Sequence, residues 1–119
     1  MFTLVSEETY EDGRIIFKEG SSGNWVYTII SGAVEISKTV DEKKVVVEVL
    51  HEGEVFGELA FLEGIKRTAT VTAVGETIIG LIDREYLDAE FNRLSSDFRA
   101  IVKAIVKRSK KLLETAYEK

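Results

Sequence analysis

The sequence predicts a mainly β domain, a β-barrel of the double-stranded β-helix or jelly-roll type followed by two α-helices. Between residues 10 and 82, short runs rich in Val, Ile, Thr and Phe are separated by glycines, a pattern typical of antiparallel barrels. From residue 83 onward glycine is absent and apolar residues recur every three or four positions, which is typical of helices. Because 119 residues suffice for one core but not for two, residues 1–119 are expected to form a single domain.

Six strands are expected in the barrel, which occupies about residues 10–82, and each is bounded by glycine or polar turn residues. They are residues 14–18, 25–31, 32–38, 44–50, 69–73 and 77–82. Residues 39–43 contain two adjacent acidic side chains and are expected to form the tip of a hairpin.

Two helices are expected after the barrel. An aspartate accepts hydrogen bonds from the free N–H groups at a helix start, so Asp83 predicts a first helix at about 84–93. Ser95 or Ser96 can begin the second helix, at about 96–117. One face of that helix carries Phe98, Val102, Ile105, Ser109, Leu112 and Ala116. We expect this stripe to pack on the barrel or on a second copy of the chain, with a solvated face opposite.

The composition excludes several classes of function. The chain has no Cys and one His, which excludes disulfides, thiol nucleophiles and multi-His or Cys metal sites, so no metal is expected. That single residue, His51, lies in a polar segment and is interpreted as a surface side chain. The apolar runs are far shorter than the roughly 20 residues of a membrane span, and no signal peptide is visible. A cytoplasmic location and no membrane contact are therefore expected.

Charge is distributed unevenly along the chain. Residues 98–119 hold 7 Lys+Arg against 2 Asp+Glu, whereas residues 1–97 hold 9 against 19. A basic amphipathic helix can mark nucleic acid, a membrane surface or a protein partner, but it is more often a solvated helix face. The overall net charge of -5 gives no basic footprint for nucleic acid.

One segment of the chain carries groups suited to binding a ligand. Gly57 permits a close backbone approach, and residues 58–62 resemble one helical turn whose first N–H groups are free for an anion. Arg67 can offer two parallel N–H donors to a phosphate, and Thr68 adds a hydroxyl. The Glu58 carboxylate suits a sugar diol. This pattern favours a ligand with phosphate and hydroxyl groups, the alternative being a glycine turn beside a surface Glu and Arg.

The same segment resembles a known family. Phe56-Gly57-Glu58-Leu59-Ala60, a short spacer, and Arg67-Thr68-Ala69-Thr70-Val71-Thr72-Ala73 resemble the phosphate-binding cassette of cyclic-nucleotide-binding domains. Upstream, residues 12–20 and 27–35 are similar to the first hairpins of that family. The resemblance covers about residues 10–85, and the two expected helices follow in the family's order.

The resemblance implies a role for each cassette residue. Phe56 belongs to the cassette. Gly57 and Glu58 would contact the ribose, with the Glu58 carboxylate on the 2′-hydroxyl. Backbone N–H groups around Leu59 and Ala60 would bind the cyclic phosphate. Arg67 would pair with the exocyclic phosphate oxygens, and Thr68 and Ala69 would complete that wall.

The resemblance also implies where the base would lie. The base would rest on apolar barrel residues such as Val47 or Val49, with the last helix as its lid. Four residues of that helix are at plausible lid positions: Ser109, Leu112, Leu113 and Ala116.

The expected function is therefore a regulatory module that binds cAMP or cGMP and signals through movement of its C-terminal helices. It has no expected catalytic residue and no cofactor. Expected partners are the nucleotide, an effector protein and a second copy joined through the C-terminal helix. DNA binding is not expected, because no helix-turn-helix follows residue 119. The alternatives are a protein-interaction module of the same fold without nucleotide binding and, less favoured, a cupin-like enzyme.

Overall fold

A computed structural model describes residues 2–115 of the chain. Within them lie six strands and three helices. In chain order they are β1 Leu4–Tyr10, β2 Ile15–Phe17, β3 Tyr27–Val40, β4 Lys43–His51, β5 Val55–Phe56, α1 Glu58–Glu63, β6 Thr70–Ile82, α2 Arg84–Arg93 and α3 Ser96–Thr115.

The strands form one antiparallel sheet in the order β1-β6-β3-β4, while β2 also pairs with β6 and β5 with β3. Six buried side chains from these strands form the main core: Ile29, Val34, Leu50, Phe56, Val71 and Ile79. This mainly β architecture with helices at its C-terminal end confirms the predicted fold class.

Two long strands, β3 and β6, form the centre of the sheet, and the prediction that each would be two separate strands is wrong. Gly32 has a φ of 92° and Gly75 a φ of 71°, and the pairing register between β3 and β6 shifts near Gly32. The fully buried Thr77 donates its hydroxyl to the carbonyl of Ala33, 2.9 Å away. Glycine therefore bends these strands without ending them, because the hydrogen-bonded ladder continues on both sides.

Two strands were not predicted, β1 and β5. The side chains of Leu4–Tyr10 are almost all exposed and include four acidic or polar positions in a row, so the strand lacks the alternation that marks a half-buried strand. Val55–Phe56 is too short to give any periodicity. The observed hairpin tip is narrower than the predicted residues 39–43. It consists of Asp41 and Glu42, which both have positive φ, as a two-residue type I′ turn requires.

The helix starts agree with the sequence. The Asp83 side chain accepts from the backbone N–H groups of Glu85 and Tyr86, at 2.9 and 3.4 Å. The Ser95 hydroxyl accepts from the N–H of Phe98 at 3.1 Å and so caps α3. In the part of the chain described, no helix is both long and apolar enough to cross a bilayer.

α3 packs on the domain through a face that shares only part of the predicted stripe. Val102, Val106 and Leu113 are partly or fully buried, and Val106 is only 8% exposed. Of the predicted stripe, Val102 packs on the domain, whereas Phe98, Ile105 and Leu112 are 55%, 56% and 68% exposed and do not pack on the barrel. The alternative, that these exposed residues pack on a second copy, stays a prediction. Ala116 lies outside the described residues.

Candidate functional site

A cavity of about 500 Å³ opens between the sheet, α1 and α3. All of the predicted ligand-binding residues line it: Phe56, Gly57, Glu58, Leu59, Ala60, Arg67, Thr68 and Ala69. The chain thus brings two segments, separated by six residues, to one concave surface. That these residues contact a ligand remains a prediction.

Arg67 is the best-fixed polar side chain in the cavity. It is 4% exposed, and its Nη1 and Nη2 groups donate to the backbone carbonyls of Gly57 and Trp25 at 3.1 and 3.0 Å. The guanidinium lies over the Phe17 ring, 4.0 Å from its centroid, and 5.7 Å from that of Tyr27. These contacts hold the group in one orientation before any ligand is present.

The charge of Arg67 is incompletely compensated. The hydrogen bonds from Nη1 and Nη2 go to neutral carbonyls, Tyr27 is a further neutral side-chain partner, and Nε is buried without a hydrogen-bond partner in the described residues. Burial lowers the pKa of Arg67 from its ordinary value of 12.5, with Tyr27 and Glu58 opposing that change. Because arginine stays protonated in proteins, the site holds a buried cation with a free N–H. Such a group favours an anionic ligand that reaches Nε.

Gly57 joins the end of β5 to α1. Its φ of 87° lies in the left-handed region, and a Cβ there would stand 2.8 Å from the Trp25 carbonyl oxygen and 3.0 Å from Arg67 Nη1. Only glycine therefore fits here without moving the guanidinium. The conformation begins α1 directly above the cavity, where α1 also packs against α3.

Glu58 stands at the open side of the cavity. The residue is exposed, yet its carboxyl faces enough surrounding protein that desolvation raises its pKa above the ordinary 4.5. The nearby carboxylate of Glu48 raises that pKa further, while Arg67 opposes the change. A carboxylate in this setting gains from a neutral donor such as a hydroxyl, which stabilises its charged form.

The wall after Arg67 is held by backbone contacts. The Arg67 N–H donates to the Ser21 carbonyl at 2.9 Å, and the Gly20 N–H donates to the Arg67 carbonyl at 2.7 Å. Lys38 Nζ donates to the Thr68 carbonyl at 2.8 Å. Ala69 is buried at 4% exposure. The loop between β2 and β3 thus fixes the backbone from which the Arg67 side chain projects.

The predicted base wall and lid are found only in part. Val47 lines the cavity, but Val49 is 42% exposed on the other side of β4, so its predicted place is wrong. Ser109 and Leu113 of α3 line the cavity, whereas Leu112 is 68% exposed and does not. The fourth lid candidate, Ala116, lies outside the described residues.

Seven cavity residues were missed by sequence reasoning: Phe17, Ile36, Glu48, Leu50, Glu54, Val55 and Val71. Phe17 supports Arg67 from a strand 50 positions earlier, and no local pattern reveals that contact. Glu48 shares a face of β4 with the buried Leu50, and the two pair with Ile36 and Val34 of β3, a register that the sequence does not mark. Among the described residues, no group of three or more His, Cys, Asp or Glu side chains could hold a metal ion.

Comparison with known proteins identifies a family over the part of the chain that contains these cavity residues. A family model described as the cyclic nucleotide-binding domain matches residues 7–93. The chain is similar to a cAMP-dependent protein kinase regulatory subunit of Dictyostelium discoideum, 35% identical over 89 residues, which are 71% of this chain and 26% of that protein. It is also similar to a cGMP-dependent protein kinase of Eimeria tenella, 36% identical over 104 residues, 87% of this chain and 10% of that protein.

Among solved structures, the cGMP-bound form of the EAL enzyme Bd1971 superposes with a TM-score of 0.84 at 25% identity, over 93% of this chain and 30% of that one. Its cAMP-bound form gives a TM-score of 0.83 at 26% identity, over 92% of this chain and 30% of that one. The chain therefore spans about a quarter or less of the curated relatives just described, and about a third of these structures.

Proposed function

Because the chain belongs to the cyclic nucleotide-binding domain family, we propose that it is a regulatory module that binds cAMP or cGMP in the cavity beneath α3. The observation that carries this proposal is the buried Arg67, whose Nε has no partner in the described residues. A cyclic phosphate supplies both the missing acceptor and the missing negative charge.

Each cassette residue has a role in this binding mode. Arg67 pairs with the exocyclic phosphate oxygens, beside the hydroxyl of Thr68 and the small, buried Ala69. The backbone of Leu59 and Ala60 faces the phosphate, and Phe56 and Gly57 shape the wall below the ribose. Glu58 accepts a hydrogen bond from the ribose 2′-hydroxyl.

Signalling is proposed to pass through α3. The cavity has Ser109 and Leu113 of α3 on one side and Val47 on the other, so a base between them contacts helix and strand together. A ligand that binds only when α3 is docked shifts the helix toward that position by mass action. An effector protein that recognises one position of α3 would then respond to the nucleotide.

Calorimetric titration with cAMP and with cGMP tests the proposal. At a nucleotide concentration 100 times Kd, binding adds about 2.7 kcal/mol to the free energy of unfolding, which a thermal melt detects. Absence of both heat and thermal shift with the two nucleotides would favour the alternative function, a protein-interaction module of the same fold. The retained Glu58 and the unsatisfied Arg67 argue against that alternative.

The raised pKa of Glu58 leads to a prediction about pH. Only the ionised carboxylate accepts the 2′-hydroxyl without a competing proton, so affinity falls as the pH drops through the pKa of Glu58. That fall is expected above pH 4.5, because desolvation and Glu48 raise this pKa in the fold. Acidification has the opposite effect on the stability of the free protein. Because the pKa of Glu58 is raised in the fold, its charged form is unfavourable there, so protonation at lower pH increases the free energy of unfolding.

The variant Glu58→Gln separates these two effects. At neutral pH it is expected to melt at a higher temperature without ligand and to bind nucleotide about tenfold more weakly. The acid-side loss of affinity should also disappear. Glu63→Gln, at the other end of α1 and away from the cavity, serves as control. An unchanged pH profile in Glu58→Gln would remove Glu58 from the binding site.

A homodimer through α3 is part of the proposal. Phe98, Ile101, Ile105 and Leu112 are all more than half exposed and follow near-heptad spacing, which suits a two-fold helix pair. Sedimentation at micromolar concentration decides this, since a clean monomer with and without nucleotide rejects it. We further propose that the chain has no catalytic activity, acts in the cytoplasm and does not bind DNA itself.

A further inference from the structure

Strand β4 contains a β-bulge at the cavity. Ile36 of β3 pairs with Glu48, but the next residue of β3, Ser37, pairs with Val46, so Val47 is an extra residue. In a regular strand, neighbouring side chains point to opposite faces. Here Val47 and Glu48 both line the cavity, while Val46 and Val49 are 48% and 42% exposed. The bulge therefore places two neighbouring side chains, Val47 and the charged Glu48, at the cavity together, a known use of such irregularities near binding sites.

Glu48 ends a row of side chains that crosses the cavity floor. The pairing runs from Phe17 on β2 to Val71 on β6, then to Ile36 on β3 and Glu48 on β4. All four line the cavity, and the first three are apolar. Three strand spacings of about 4.8 Å place the two ends of the row about 14 Å apart.

The two ends of this row carry opposite charges. Arg67 lies over the Phe17 ring at one end, 4.0 Å from its centroid, and the Glu48 carboxylate lies at the other. A nucleotide whose phosphate meets Arg67 therefore extends its base over Val71 and Ile36 toward Glu48. The base then meets an acceptor-only group at the edge far from the phosphate.

We propose that Glu48 is a base-recognition residue, accepting a hydrogen bond from the exocyclic amino group of a purine. This inference rests on the proposed function and names the group that the base must present. The amino group is N6 in adenine and N2 in guanine, and in both cases it is the donor that suits a carboxylate. A purine without an exocyclic amino group leaves this carboxylate, whose residue is exposed, to water.

The electrostatics of the free protein agree with this role. Glu48 raises the pKa of Glu58, so two carboxylates repel each other at the same cavity. Carboxylates gathered at one cavity are unfavourable for the fold alone, and Glu54, which accepts from the His51 N–H, lines this cavity as well. Donors from a ribose hydroxyl and a base amino group relieve that cost when the nucleotide binds.

The test measures Kd for four nucleotides by calorimetry with the full chain. They are cAMP, cGMP, cIMP, which lacks the guanine amino group, and purine riboside 3′,5′-cyclic monophosphate, which lacks the adenine amino group. For the tighter of the two natural ligands, loss of the amino group is expected to weaken binding to the wild-type protein about tenfold. The adenine and guanine pairs show which base supplies the donor.

Three variants distinguish recognition from structure. Glu48→Val removes the acceptor and is expected to bring the amino-group effect below about twofold, whereas Glu48→Gln keeps an acceptor and most of the effect. The matched control Glu52→Val lies on the neighbouring turn, outside the cavity, and should behave like the wild type. The quantity compared between variants is the ratio of Kd without the amino group to Kd with it. Any general change in affinity that a Glu48 substitution causes through Glu58 cancels in this ratio.

The outcomes are separable. An amino-group effect in Glu48→Val equal to that of the wild type overturns the inference. An effect lost equally in Glu52→Val assigns it to net charge and also overturns it. A wild-type protein that binds none of the four nucleotides contradicts the proposed function itself. Circular dichroism verifies that each variant is folded.

Discussion

Arg67→Ala is expected to weaken cyclic nucleotide binding by about 100-fold, which corresponds to roughly 2.8 kcal/mol. Arg67 is 4% exposed, and its guanidinium lies over the Phe17 ring. Its Nε has no hydrogen-bond partner in the described residues and would donate to a phosphate oxygen. Truncating one partner of a buried ion pair costs this much because the other charge then loses its partner in a desolvated site. Calorimetry with the tighter natural nucleotide measures the loss.

The fold is expected to survive this change, with a lower melting temperature. The carbonyls of Gly57 and Trp25 lose their Arg67 donors, but water can enter the open cavity and replace them. Arg84→Ala is the matched control, because Arg84 also has a buried Nε without a partner in the described residues but does not line the cavity. Equal affinity losses in both variants would assign the effect to stability and contradict the binding role of Arg67.

Gly57→Ala is expected to abolish measurable binding and to lower stability by about 3 kcal/mol or more. The added Cβ would stand 2.8 Å from a backbone oxygen of Trp25 and 3.0 Å from Arg67 Nη1, at a φ of 87°. The backbone cannot yield, so the guanidinium and the start of α1 must move. Thermal or urea unfolding gives the stability, and calorimetry gives the affinity.

Gly53→Ala isolates the contribution of the backbone angle. Gly53 has the same φ of 87°, but a Cβ there would meet nothing within 4 Å. This variant is expected to lose only about 1 kcal/mol and to bind nucleotide normally. If Gly57→Ala were no worse than Gly53→Ala in stability and affinity, close packing at Gly57 would have no role in the site.

The cassette could be predicted from the sequence because its groups lie close together in the chain. Gly57, Glu58 and Arg67 fall within eleven residues, and their residue types already suggest a phosphate and a diol. Phe17 and Glu48 could not be found in this way. Their places depend on strand pairing, which is set by contacts between distant parts of the chain.

The packing face of α3 was predicted only in part, for a different physical reason. This helix carries two apolar faces, one with Val102, Val106 and Leu113 and another with Ile105 and Leu112. Periodicity reports that apolar residues recur but not which face meets the domain, because neighbouring faces share nearly the same spacing. In the structure the first face packs on the domain, and the second is exposed. The β1 strand was missed because its exposed side chains carry no burial pattern at all.

The bulge in β4 also protects the sheet from unwanted association. β4 ends the strand order, so its outer backbone groups can template another chain, and Val46 and Val49 make that edge apolar. An incoming strand needs regular spacing, which the extra residue Val47 interrupts, and Lys43 at the strand start adds charge. One inserted residue thereby discourages edge-to-edge aggregation as well as placing Val47 beside Glu48 at the cavity.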